Sequence, residues 1–243
     1  MAQLNLKSLI SLVLVALAGV ACSTSPTGRS QMVLKNDQEL AVEAARQFAE
    51  MKANMPLETD RTKIDYIHCV AQAVVMELPP DYRDLDWEMA IFQSDSVNAF
   101  AMPGGKIGVM TGILKAAQNQ DQLAAVIGHE IAHVTARHAN ERASRGSFSN
   151  VGVQVAAVLL GGGHQGATYS AYEALQAGAA LGIMLPFSRS QESEADVIGL
   201  EYMAKAGFDP RESVPLWQNM GQEAEEAPAE FLSTHPSSEK RID

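Results

Sequence analysis

The alternation of apolar and polar positions divides the chain before any chemistry is considered. An apolar run from Leu9 to Val20 comes first, followed by "STSPTGRSQ", whose Ser, Thr, Pro and Gly content predicts a flexible tether over residues 22–35. Helical periodicity then covers roughly 36–54 and 60–77, the second stretch ended by Pro79 and Pro80. "LDWEMAIFQSD" has strand character. "SVNAFAMPGGKIGVMTGIL" predicts two short strands that turn at Pro103-Gly104-Gly105, a β-hairpin beside helical neighbours.

The stretch "QNQDQLAAVIGHEIAHVTARHANERASRG" predicts one long amphipathic helix. Asn119 can cap it with Gln122 three residues later, Leu123, Val126, Ile127, Ile131 and Val134 form an apolar face, and Gly146 stands near its end. Residues 147–187 are apolar and rich in small residues, and read as helix, glycine break, helix, serving either as core or as a cover over a cleft. A capped helix starts at Ser188 and stops at Gly207, and another begins with Asp209 as cap and Pro210 at its first position. "GQEAEEAPAE" reads as a polar, acidic loop. There is no internal repeat, and "PGGKIG" is a turn rather than a phosphate loop because no helix opens on its glycines.

Composition adds class and compartment. A chain of 243 residues, 47% hydrophobic, can bury the core of one globular domain, here 36–243. A net charge of −11 without a dense Lys/Arg cluster leaves no footprint for a phosphate backbone, so nucleic acid is excluded as a partner. The Leu9–Val20 run is shorter than the about 20 residues of a membrane span and suits a secretory signal, so residues 1–21 are predicted to be removed. "AGVAC" resembles a bacterial lipobox, which makes Cys22 the lipidated N-terminus; ordinary signal cleavage after Ala21 is the alternative. Ser23 after the cysteine points to the outer membrane. With Cys22 lipidated, Cys69 is the one thiol left, whereas an unmodified Cys22 could pair with it in an oxidising compartment.

The chemistry concentrates in "VIGHEIAHVTARH", residues 126–138. Residues four apart share a helix face, so His129 and His133 can present two imidazole nitrogens to one ion. Glu130, one position round, falls beside such an ion, where a carboxylate can take the proton of an attacking water. A catalytic zinc takes three protein ligands, and Ala136 and Ala139 exclude the pattern in which the third histidine follows on the same segment. His138 is one residue off and reads as a solvated surface histidine. Candidates for the third ligand are His68, His164, His235 and the acidic residues, above all Glu192, which shares a face with Asp196 in "ESEAD". One carboxylate can bind metal while the other accepts from a ligand histidine; a solvated acidic face near a helix N-terminus is an equal reading on spacing alone.

Together "VIGHEIAHVTARH", "ESEAD" and "NAFAMPGGKIGVMTGIL" resemble the M48 zinc metallopeptidases, and the lipoprotein signal points to their periplasmic branch. The resemblance implies a zincin-like α+β fold, mostly helical, with a small antiparallel β-sheet packed on the HExxH helix. It implies one Zn²⁺ held by His129, His133 and Glu192, with Glu130 as the base and Asp196 supporting a ligand histidine; Glu194 has no role. It further implies that His235 stabilises an oxyanion, that Arg241 orders the site, and that Asn98 and Ala99 pair with the substrate backbone. The function expected is endoproteolysis of misfolded or misassembled envelope proteins, from a lipid anchor on the periplasmic face of the outer membrane. A non-catalytic, chaperone-like or binding lipoprotein with a structural metal is the competing expectation, and Glu130 argues against it because a structural site has no use for a base.

Overall fold

The computed structural model describes residues 22–146, 188–226, Phe231 and His235. The expected signal segment, the 147–187 stretch, His164 and Arg241 lie outside the described residues. In chain order the elements are β1 (Cys22–Thr24), β2 (Ser30–Met32), α1 (Asp37–Asn54), α2 (Arg61–Met76), the single turn α3 (Pro80–Arg83), β3 (Glu88–Phe92), β4 (Ala99–Met102) and β5 (Lys106–Met110). There follow α4 (Ile113–Ala116), α5 (Gln120–Thr135), α6 over 138–146, α7 (Arg189–Lys205), a 3₁₀ turn (Pro210–Glu212) and α8 (Ser213–Glu226). No helix among the described residues is long and apolar enough to cross a membrane.

Polar residues start these helices where the sequence predicts. The side chains of Asn36, Asp60, Asn119 and Ser188 each accept from amides of their own first turn. Each such cap satisfies a donor that the helix cannot. α2 turns Ile67, Val70, Ala71 and Val74 inward, the i, i+3, i+4, i+7 stripe of a helix with one buried face. α5 departs from the expected amphipathic pattern: every residue from Gln122 to Thr135 is buried. It is the central helix, packed by α7, α2, β4 and α8, so the polar side chains it carries must be satisfied inside the protein.

Three expectations need correction. First, the helix does not run on to Gly146. It ends at Thr135, and Arg137 takes a left-handed φ of 58° before α6 begins. Non-glycine residues seldom adopt that conformation, and here Arg137 is held by an ion pair to Asp37. Second, the sheet is mixed: β4 and β5 form the expected antiparallel hairpin, with Gly104 and Gly105 at φ of 80° and 81° in its turn, but β3 joins β5 in parallel. Third, residues 22–35 are no tether. β1 and β2 pair as an antiparallel hairpin, closed by the Ser25 amide donating to the Arg29 carbonyl at 2.8 Å. Ser, Thr and Gly suit a tight turn as well as a linker, and the ordered part therefore begins ahead of residue 36. The start of the expected acidic loop is helical too, since α8 extends to Glu226.

The sheet order β3-β5-β4 leaves β4 as an outer strand, lying along α5. Behind it Phe48, Phe92 and Phe100 pack with ring centroids 6.4–6.5 Å apart. Burying a side chain of this size contributes roughly 1.5–3 kcal/mol, and here it fixes β4 against α1.

Candidate active site

α5 and α7 cross at two glycines. A Cβ on Gly199 would sit 2.7 Å from the His129 amide nitrogen, and one on Gly128 would sit 2.8 Å from the Gly199 carbonyl oxygen. Only glycine at these positions lets the two backbones come so close. The approach carries Glu192, near the start of α7, to the imidazoles of His129 and His133 on α5.

His129, His133, Glu192 and His235 are all buried, and each offers a donor atom within 4.8 Å of the others. His129 Nε2 lies 3.1 Å from His133 Nε2 and 3.2 Å from His235 Nδ1. Glu192 Oε1 lies 3.1 Å from His235 Nδ1 and 3.5 Å from His133 Nε2, and its Oε2 lies 3.5 Å from His129 Nε2. Four ligands at about 2.0–2.1 Å from a tetrahedral zinc would stand about 3.3 Å apart, so the measured separations fit such an ion. The donor chemistry fits as well. Asp196 Oδ1 is 2.9 Å from His129 Nδ1; as the carboxylate accepts there, His129 Nε2 of the neutral ring turns a lone pair toward two other ring nitrogens and a carboxylate. A cation resolves that crowding of lone pairs.

Glu130 is buried beside this cluster. Its Oε1 is 3.5 Å from His235 Nε2, and the Ala101 backbone amide of β4 donates to its carboxylate. Burial raises the Glu130 pKa, against the pull of His235 and His129. Burial pushes Glu192 up too, but the neighbouring imidazoles of His129 and His235 outweigh it and hold the carboxyl down to about 2. Two carboxylates in one site are thus driven apart: one is kept as an anion, the other is poised to take a proton.

A cleft opens over the cluster between α1 and β4, and Glu130, His235 and Arg142 line it. Asn98 and Ala99, expected to meet substrate backbone, line the same cleft. Phe231 stacks on His235 with centroids 4.4 Å apart, and Trp217 meets His129 edge-on at 5.7 Å. His68 is exposed on α2, away from the cluster, and Cys69 is exposed with no disulfide.

Two sequence readings fail here. His138 is not a solvated surface residue but fully buried, with Nδ1 2.9 Å from His133 Nδ1. The left-handed Arg137 turns the chain back, so that helical spacing no longer predicts where His138 points. Glu194 is not idle either: it is buried, ion-paired with Arg29, and 3.2 Å from His138 Nε2. Arg142, Trp217 and Phe231 carried no signal in the sequence. His235, expected near the ion as an oxyanion donor, lies in the cluster, with its Nδ1 3.2 Å from His129 Nε2 and 3.1 Å from Glu192 Oε1.

The chain is similar to known proteins. A model of peptidase family M48 matches residues 62–243. The "Mitochondrial metalloendopeptidase OMA1" of Schizosaccharomyces pombe is 41% identical over 161 residues, covering 65% of this chain and 45% of that protein. The "Putative beta-barrel assembly-enhancing protease" of Vibrio cholerae is 32% identical over 213 residues, 85% of this chain and 43% of the relative. The "Beta-barrel assembly-enhancing protease" of Escherichia coli K12 is 29% identical over 198 residues, 79% of this chain and 40% of the relative. The chain therefore spans less than half the length of these relatives.

Proposed function

The chain belongs to peptidase family M48, and from that premise we propose that it is a zinc-dependent endopeptidase acting on misfolded or misassembled cell-envelope proteins. The observation that carries this reading is the set of four buried donors at tetrahedral spacing with Glu130 beside them, opening on a cleft along an outer strand. His129, His133 and Glu192 hold Zn²⁺, and Asp196 fixes the tautomer of His129. When bound, zinc supplies Lewis acidity that polarises the scissile carbonyl and acidifies water.

The chain's own residues do the rest. An extended substrate adds to β4 by main-chain pairing, with Asn98 and Ala99 at the start of that edge, so sequence preference is loose. Glu130 takes the proton of the attacking water and passes it to the leaving amine. His235, beside the same donors and 3.5 Å from Glu130, would donate to the developing oxyanion. Arg241, which lies outside the described residues, is given an ordering role by the family resemblance alone. For the cell, the reading is a periplasmic lipoprotein held to the outer membrane through Cys22, with protein substrates and no nucleic-acid partner.

One observation favours a second reading. With His235 included, protein atoms alone complete a tetrahedron, as in a structural metal site of a non-catalytic, chaperone-like lipoprotein. Glu130 counts against it, because burying an acid that accepts no metal and moves no proton is costly. Cleavage of casein separates the two. The protease reading predicts cleavage that stops when zinc is stripped by a chelator and returns when zinc is restored, whereas cleavage indifferent to chelation, or none with zinc bound, would overturn it.

A further inference from the structure

Resting on the assignment of His133 as a metal ligand, we propose that His138, Glu194 and Arg29 are positioning residues for it. A His133–His138–Glu194 hydrogen-bond chain, clamped by the Arg29 guanidinium, fixes the tautomer and orientation with which His133 meets the ion.

The proton positions follow from the contacts. His133 turns Nε2 toward the other donors, 3.1 Å from His129 Nε2. If that atom gives its lone pair to a metal, the ring proton sits on Nδ1, which lies 2.9 Å from His138 Nδ1. His138 Nδ1 must then accept, which leaves its proton on Nε2, and that atom is 3.2 Å from Glu194 Oε2. Each group has one role, and an ionised Glu194 ends the chain. A carboxylate behind a ligand imidazole raises its basicity and restricts its rotation. Asp196 does this directly for His129, and Glu194 does it for His133 through one intervening ring.

Burying the Glu194 charge requires compensation. Arg29 Nε donates to Glu194 Oε2 at 2.8 Å, and Thr27 Oγ1 donates to Oε1 at 2.6 Å. The two terminal nitrogens of Arg29 grip both oxygens of buried Glu141 on α6 at 2.9 and 2.8 Å, and Glu141 also accepts from Gln191 of α7. Such a fork suits guanidinium and not ammonium geometry. The β1–β2 hairpin thus reaches the metal site through Arg29, joining α6 to α7 beneath His133.

The test is zinc affinity in the full chain, measured by competition with a chromogenic chelator on protein verified as folded in its zinc-free form by circular dichroism. His138→Phe, which keeps a ring but neither nitrogen, and Glu194→Gln should each weaken zinc binding by about 10- to 100-fold. His138→Gln, which restores an acceptor and a donor, should recover most of it, and Arg29→Met should fall with Glu194→Gln. Folded His138→Phe binding zinc as wild type does would overturn the proposal, as would equal weakening in His138→Phe and His138→Gln, which indicates packing alone. If His138→Phe does not fold, wild-type affinity in Glu194→Gln overturns it just as directly. Failure of the ligand assignment looks different: wild type would bind no zinc, or Glu192→Ala would bind it as tightly as wild type.

Discussion

Replacing Gly199 by alanine should weaken both the fold and the metal site, because the glycine sets how closely the two ligand-bearing helices approach. The added Cβ would lie 2.7 Å from the His129 amide nitrogen, 2.8 Å from the Gly128 carbonyl carbon and 2.9 Å from His129 Cα. All three are backbone atoms, so no rotamer change relieves them, and ordinary contact at 3.4 Å requires the helices to part by about 0.7 Å. Overpacking of this kind costs about 1–3 kcal/mol, and the better helix propensity of alanine returns up to about 1 kcal/mol. The balance is a loss of about 2 kcal/mol at the upper end, or roughly 4–8 °C in Tm for a protein of this size. Metal sites tolerate ligand displacements of about 0.2 Å, so zinc affinity should fall as well. Thermal unfolding of the zinc-free protein reads the first effect and chelator competition the second. Gly221→Ala on α8 is the control: its Cβ would meet nothing within 4 Å, so the same exchange should raise Tm. A Gly199→Ala protein with the Tm and zinc affinity of wild type would refute the claim that this contact sets the ligand geometry.

Other expectations follow from the same structure. Glu192→Ala should lower zinc content measured by mass spectrometry of the metal; unchanged occupancy removes Glu192 from the site. Burial pushes the Glu194 carboxyl up, but hydrogen bonds from Ser25, Thr27, Arg29 and His138 bring it from 4.5 down to about 2. Its folded pKa is the lower one, so its contribution, on the order of 3 kcal/mol, is present above pH 4.5 and lost as pH falls toward 2. The stability gap between wild type and Glu194→Gln, followed by denaturant unfolding of zinc-free protein, should close over that interval; a gap constant with pH contradicts it. Intact-mass analysis of the mature chain should find an acylated Cys22, and a free amine at Cys22 or a start elsewhere rules out the anchor.

Much of the site was legible because helical spacing is local. His129 and His133 share a face whatever surrounds them, as do Glu192 and Asp196, and the caps at Asn119 and Ser188 are chosen within one turn. What depends on non-local pairing was not legible. The parallel β3–β5 ladder joins strands with β4 between them in sequence, and the hairpin at residues 22–32 is fixed by Arg29 reaching Glu141 and Glu194 more than a hundred residues on. His138 was misread for a sharper reason. One left-handed residue, Arg137, breaks the periodicity that placed it on the surface, and nothing about an arginine announces that conformation. Glu194 lies between the two acidic residues that share a face; its own face meets Arg29 and Thr27 of the hairpin and His138 of α6, partners that no local pattern foretells.

The central claim is that His129, His133 and Glu192 hold a zinc ion for which Glu130 acts as the base. Zinc stoichiometry measured together with casein cleavage, in wild type and Glu130→Gln, tests it most directly. The account predicts about one zinc per chain in both proteins, with cleavage by wild type and none by the variant. Equal cleavage by Glu130→Gln would contradict it.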